Sequence, residues 1–313
     1  MKVWNSLIII FLLLIIGGLL TFIIWQNLHK ESKIAAATKT APPWQVFPYP
    51  FPQDLDFAGE KVPLESPRIS EKMDLALTNN VYRHSNTIIR YKRVTRWFPM
   101  IEKVLAENDI PDDFKYLAVI ESNLDNLVSY QGAAGFWQFM PATAQEYGLE
   151  VNGYVDERFH PKKATEAAAK YLKEAYKKFK NWTLVAASYN RGMKGIQDKL
   201  EQQQVKSYYD LHLNLETAQY VYKILAVKHL YTHLQDYGYQ IAEQQRYLPR
   251  STQALTIHES IPDLIGFAKE KGTNLAEIKD LNPWLMQNIL PVNQANKTYQ
   301  LLIPNASIQK SQK

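Results

Sequence analysis

Cysteine is absent from the 313 residues, which excludes disulfides, thiolate metal sites, a cysteine nucleophile and a lipidated N-terminal cysteine, and leaves the redox compartment unmarked. The net charge of +5 and pI near 9.0 are mild, and no basic tract or stripe of the kind that lines a nucleic-acid groove accompanies them, so no nucleic-acid partner is expected. A phosphate loop, a nucleotide fingerprint and a Ser/His/Asp order are missing as well. His229 and His233 have the i, i+4 spacing that can hold a metal, but a third ligand is not in sight. They are read as an exposed pair, and neither a metal nor a cofactor is expected.

Long apolar runs are confined to one place. Leu7 to Trp25 is interrupted only by Gly17-Gly18 and Thr21, a length that at helical rise matches the hydrocarbon core of a bilayer. It exceeds a signal-peptide core, and Ala35 to Ala37 lie too far beyond it to form a natural cleavage site. Residues 1–29 therefore read as an uncleaved signal anchor, a transmembrane helix. Lys2 is opposed by Lys30, Lys33 and Lys39, a balance that does not favour export of the body; its outside placement follows from function instead. Residues 30–67 carry Pro42, Pro43, Pro48, Pro50, Pro52, Pro63 and Pro67, which break every would-be helix and leave an extended tether.

The body is helical by its periodicity. Val94, Trp97, Phe98, Ile101, Val104 and Leu105 keep one face, and Asn108 to Pro111 close that helix and open the next. Arg90, Lys92, Arg93 and Arg96 read as its solvated side. Farther on, Ala164 to Phe179 is strongly amphipathic, and Trp182, Val185, Ala186 and Tyr189 repeat the pattern before Gly192 stops it. Glu216 to Leu234 is the last long helix, with Glu216 and Tyr220 one turn apart on a shared face. From about Leu255 the texture becomes a small α/β unit, with helices over Ile261 to Lys271 and Leu275 to Leu281 and a strand from Tyr299 to Pro304.

The chemistry gathers between Phe114 and Pro141. Phe114, Leu117, Ala118 and Glu121 fall at i, i+3, i+4 and i+7, so a carboxylate ends an apolar stripe that faces the core. Burial and a place in the last helical turn, at the negative end of the dipole, both raise its pKa. A glutamic acid that stays protonated near neutral pH suits a general acid; a buried Glu paired with Lys or Arg is the plainer alternative. The loop that follows, Ser129 to Gly135 and then Phe136-Trp137-Gln138-Phe139-Met140, mixes glycine, aromatics and one amide. Such a mixture suits sugars, which present hydroxyls at their rim and apolar C–H faces. Phe139 and Met140 read as core residues.

Glu121-Ser122, the loop Gly132-Ala133-Ala134-Gly135-Phe136-Trp137-Gln138, Ala187-Ser188-Tyr189-Asn190-Arg191-Gly192 and Glu216-Thr217-Ala218-Gln219-Tyr220-Val221 together resemble the ordered motifs of the soluble-type lytic transglycosylases. The match covers roughly Ile88 to Leu234, and four motifs in order are far more specific than one. The resemblance implies a mainly α protein with a lysozyme-like helical catalytic domain of goose type over 68–248, and a weaker similarity makes 249–313 a LysM-like module without its usual Gly-Asp. It implies Glu121 as sole general acid/base, with Gln138, Tyr189, Asn190, Glu216 and Tyr220 lining the glycan cleft and Ser122, counted with the binding set, supporting the turn beside the acid. Trp137 stands where many relatives carry Met, and Ser188 where Ala is frequent.

The implied reaction is cleavage of the β-1,4 bond between N-acetylmuramic acid and N-acetylglucosamine in peptidoglycan, with a 1,6-anhydro product. Two alternatives remain open at this point: a lysozyme-like hydrolase, and a non-catalytic peptidoglycan-binding anchor. The implied partners are glycan strands and, through the N-terminal helix, the membrane, while the sequence names no protein partner. The implied place is the bacterial inner membrane, crossed once, with the catalytic domain in the periplasm or cell-wall space.

Overall fold

A computed structural model of the protein describes residues 17–26, 48–292 and 297–305. It divides into two units, residues 1–48 and residues 49–313. In the first, residues 17–26 form helix α1, with Leu19, Leu20, Phe22, Ile23, Ile24 and Trp25 all exposed. Among the described residues no helix is long and apolar enough to cross a membrane. The rest of the expected anchor, and the tether up to residue 47, lie outside the described residues.

The second unit begins earlier than its prolines suggest. A short hairpin, β1 (Asp56–Phe57) with β2 (Glu60–Lys61), turns through Ala58-Gly59, and Phe57 and Val62 are 0% and 1% exposed in the main core. The end of the expected tether is thus part of the body, because alternate side chains of this Pro-rich stretch are apolar. Glu60 caps the helix that starts at Trp182, accepting from the N–H groups of Trp182 (2.6 Å) and Thr183 (2.9 Å) and from the Thr183 hydroxyl (2.7 Å), which satisfies donors a helix start leaves free.

Helices α2 (Pro67–Val81), α3 (His84–Glu107), α4 (Lys115–Ser122), α5 (Pro141–Glu146), α6 (Pro161–Phe179), α7 (Trp182–Arg191), α8 (Met193–Gln203) and α9 (Leu215–Thr232) build the helical body. Its central element is α9. Tyr220, Val221, Tyr222, Ile224, Leu225, Ala226, Val227 and Leu230 bury it on nearly every side, and α2, α4 and α7 pack against it. The alanines of α6 at 164, 167, 168, 169 and 175 are buried, so neighbouring backbones approach closely where α3 and α7 cross it.

The C-terminal unit is a two-stranded antiparallel sheet, β3 (Thr252–Ile257) on β4 (Tyr299–Pro304) with Thr252 opposite Pro304, flanked by α10 (Leu264–Glu270) and α11 (Leu275–Leu281). The first helix starts three residues later than its apolar spacing suggests, because Asp263 caps it, accepting from the N–H groups of Ile265 (2.9 Å) and Gly266 (3.0 Å). This unit's core is shared with the helical body, since Ala134, Val155 and Phe159 belong to the same cluster as Leu264, Ile278, Trp284 and Leu301.

Candidate active site

Glu121 sits in the last turn of α4, above a face formed by Phe114, Leu117 and Ala118, all fully buried. The helix stops there because Asn123 turns left-handed (φ 57°, ψ 28°) while its N–H still reaches Val119 O at 2.9 Å. Leu124 continues the turn at φ 52°. Two arginines of α3 fix it: Arg90 bonds the Asn123 side-chain oxygen, and Arg93 donates to the Asn123 carbonyl (3.2 Å) and pairs with Asp125 at 2.7 Å. Two of the four basic residues that read as a solvated face, Arg90 and Arg93, are therefore braces for the chain leaving Glu121. Their partners come from another element, which spacing along α3 cannot reveal.

The Glu121 carboxyl is partly buried, and the Tyr220 hydroxyl of α9 donates to its Oε1. Burial is the main cause that lifts its pKa from 4.5 to about 7; the Glu216 charge adds to the rise, while the Tyr220 hydrogen bond and Lys223 oppose it. Tyr189 and Tyr220 are both held well above the ordinary tyrosine range, first by burial and then by the charge of Glu121. Both phenols therefore remain neutral donors at physiological pH.

Helices α7 and α9 bring the remaining groups in. Tyr189 donates to Trp137 O (2.8 Å). Asn190 donates from Nδ2 to Glu216 Oε1 (2.8 Å) and accepts at Oδ1 from the Thr217 hydroxyl (2.7 Å), joining the end of α7 to the start of α9. Gln138, with a left-handed backbone (φ 48°), donates to Gly135 O (2.9 Å) and Leu127 O (3.2 Å). Ser122 is the exception among the expected binding residues. It is 2% exposed, and its hydroxyl bonds Ala118 O (3.2 Å) and Phe136 O (2.9 Å) inside the protein, because one residue beyond Glu121 on a helix points to a different face. Met140, read as core, is 43% exposed, whereas Phe139 and Trp137 are buried.

Two surface cavities, about 590 Å³ beside Tyr147 and Lys170 and about 680 Å³ between Tyr91, Tyr231 and Arg246, contain none of these groups. The rings of His229 and His233 stack 4.3 Å apart, and among the described residues no group of three metal-ligating side chains forms. The arrangement offers one elevated carboxylic acid, two neutral phenols and a nearby carboxylate-amide pair, which is equipment for proton transfer to and from a neutral oxygen.

Residues 98–211 match the family described as Transglycosylase SLT domain, and residues 253–307 match the soluble lytic transglycosylase C-terminal LysM-like domain. The chain carries a transglycosylase SLT domain. Over 238 residues it is 28% identical to membrane-bound lytic murein transglycosylase D of Escherichia coli, an alignment covering 72% of this chain and 50% of the relative. It is 23% identical over 116 residues to a putative tributyltin chloride resistance protein of an Alteromonas species, covering 36% and 56%. The chain thus spans about half the length of the curated relatives it matches. Among solved structures, the 70 kDa soluble lytic transglycosylase of Escherichia coli covers 68% of this chain and 42% of its own at 18% identity, with a TM-score of 0.41.

Within the SLT domain, the loop Gly132 to Phe139 depends on a residue that sequence reading passed over. Arg158 is buried, grips Asp156 through Nε (2.9 Å) and Nη2 (2.7 Å), and donates from Nη1 to Gly132 O (2.8 Å) and Phe139 O (3.1 Å). Gly135, at φ 77°, lies so close that a Cβ there would stand 1.8 Å from Arg158 O. A buried Asp-x-Arg in an irregular stretch has no periodicity to mark it. The glycine was legible as a close approach, but not what it approaches.

Proposed function

We propose that the protein is a peptidoglycan lytic transglycosylase, a carbon-oxygen lyase that cleaves the β-1,4 bond between N-acetylmuramic acid and N-acetylglucosamine and closes a 1,6-anhydro ring. The observation that carries the reading is Glu121, a partly buried acid with a pKa near 7 held by the Tyr220 hydroxyl. In its protonated form Glu121 gives its hydrogen to the glycosidic oxygen as the C1–O bond breaks, and the muramyl acetamido oxygen stabilises the positive charge left at C1. The carboxylate so formed takes the proton of the C6 hydroxyl as O6 attacks C1. The acid is thereby regenerated, and no water is consumed.

Ordinary glycoside hydrolases divide these roles between two carboxylates. Near Glu121 the candidates are already engaged, Asp125 by Arg93 at 2.7 Å and Glu216 by Asn190 at 2.8 Å. A single group that serves first as acid and then as base accounts for this better than a nucleophile pair. A pKa near 7 favours both roles, since neither protonation state is strongly disfavoured at neutral pH. Tyr220 orients the carboxyl, and Gln138, Tyr189, Asn190 and Glu216 form the wall against which the glycan lies. Ser122 acts from behind by tying α4 to the loop.

The apolar, exposed α1 supports a membrane anchor at the N-terminus, since apolar side chains on all sides call for a lipid covering. The anchor would hold the enzyme at the inner membrane with its body on the cell-wall side, and the LysM-like unit would add contacts to the same polymer. Digestion of purified sacculi by the wild type and by Glu121→Gln tests the enzymatic reading. Muropeptides that are one water lighter than hydrolysis products, absent with the variant, are expected. Reducing ends would indicate a hydrolase, and no turnover a binding anchor.

A further inference from the structure

The C-terminal unit touches the SLT domain through the segment Glu150 to His160 and, in the apolar cluster, through Ala134. The Asp156 N–H donates to Trp284 O (2.9 Å), the Met286 N–H to Tyr154 O (2.9 Å), and Val155 pairs with Leu285. The His160 ring stacks on Trp284 at 6.0 Å, and Lys297 meets Glu150 at 2.7 Å. This is the segment whose Asp156 and Arg158 hold the loop beside Glu121.

That loop has little regular structure of its own, so its carbonyl oxygens are collected by side chains. Arg158 takes those of Gly132 and Phe139, Gln138 that of Gly135, Ser122 that of Phe136 and Tyr189 that of Trp137. Among the described residues, the Arg158 contacts are the ones that tie both ends of the loop to one rigid side chain. The planar guanidinium can do this because one edge is locked on Asp156 while Nη1 on the other side is free to donate. Ala134, inside the loop, packs in the apolar cluster of the C-terminal unit with Val155 and Leu285.

Building on the transglycosylase reading, we propose that the C-terminal unit is a structural part of the active site as well as a glycan-binding appendage. It seats the Glu150–His160 segment so that Asp156 and Arg158, as positioning residues, fix the Gly132–Phe139 loop against Glu121. Neither residue touches the reacting atoms. Their effect is on geometry and on exclusion of water, and a misplacement of about 1 Å at such a site costs roughly a hundredfold in rate.

Two full-length variants test this. Arg158→Lys keeps the charge but loses the fork that spans Asp156 and two carbonyls. Trp284→Ala disturbs the seat from the C-terminal side, where the ring stacks on His160 and Tyr299. In hydrogen exchange, amides of residues 132–139 should exchange faster in both variants while those of α9 keep their protection. On a soluble glycan of defined length, kcat should fall about ten- to a hundredfold with a smaller change in KM. A loosened loop also rehydrates Glu121, whose other neighbours, Tyr189 on α7 and Glu216, Tyr220 and Lys223 on α9, stay in place. The basic limb of the pH–rate profile should then move to lower pH. Wild-type loop exchange and an unmoved pH limb in Arg158→Lys would overturn the proposal, as would an effect of Trp284→Ala confined to residues 249–313. If instead the wild type makes no anhydro product while the exchange results hold, the transglycosylase reading fails and the mechanical coupling stands.

Discussion

Replacing Glu121 by Gln should stabilise the protein at neutral and alkaline pH while abolishing its chemistry. The folded-state pKa of Glu121 is about 7 against 4.5 for an unperturbed glutamate, so between these values the native state binds a proton that the unfolded chain does not. Native stability from this group is complete below about pH 4.5 and declines as pH rises through the window. At about 1.4 kcal/mol per unit the loss reaches about 3 kcal/mol above pH 7, or about 2 kcal/mol once solvent contact of the partly buried carboxyl is discounted. Glutamine is nearly isosteric, can still accept from Tyr220, and carries no charge to desolvate. Urea melts of both proteins from pH 5 to 8 check this, because every other titrating group cancels in the difference between them. The gap should be small at pH 5 and widen to about 2 kcal/mol at pH 8. A gap that does not change with pH, or a variant less stable than wild type at pH 8, would refute the claim that burial governs this acid.

Other predictions follow from neighbouring contacts. Tyr220→Phe removes a donor to the carboxylate, a bond worth about 1.5 to 3 kcal/mol, so the basic limb of kcat/KM should move up by at least about one pH unit. Glu216→Gln removes a like charge and should move the same limb down, which a pH–rate profile of each variant will separate. Glu60→Ala frees the N–H groups of Trp182 and Thr183 at the start of α7, where Asn181 still accepts from the Leu184 N–H, and should cost about 1 to 2 kcal/mol in a denaturant melt without altering the pH profile.

What could be read from the sequence divides by the range of the interactions involved. The burial of Glu121 was legible because the stripe of Phe114, Leu117 and Ala118 is a local pattern, and so was the shared face of Glu216 and Tyr220 one turn apart. Both rest on helical spacing alone. Arg93, Arg158 and Glu60 were not legible, since each gains its role from a partner on another element, Asp125, the Gly132–Phe139 loop and the start of α7 in turn. Ser122, counted with the binding set by resemblance and expected to support the turn beside the acid, is turned inward by the helix, and its bonds to Ala118 O and Phe136 O fit the supporting role. The prolines between residues 48 and 67 correctly excluded a helix there but said nothing about burial, and Phe57 and Val62 enter the core from extended chain.

The central claim is that one carboxyl both gives and takes the proton, with the sugar's own hydroxyl as the nucleophile. Digestion of sacculi in water enriched in heavy oxygen, followed by mass spectrometry of the new glycan ends, tests it most directly. Anhydro ends without label are expected from the wild type, and none from Glu121→Gln. Labelled reducing ends as the main product, or unlabelled anhydro ends from the variant, would contradict it.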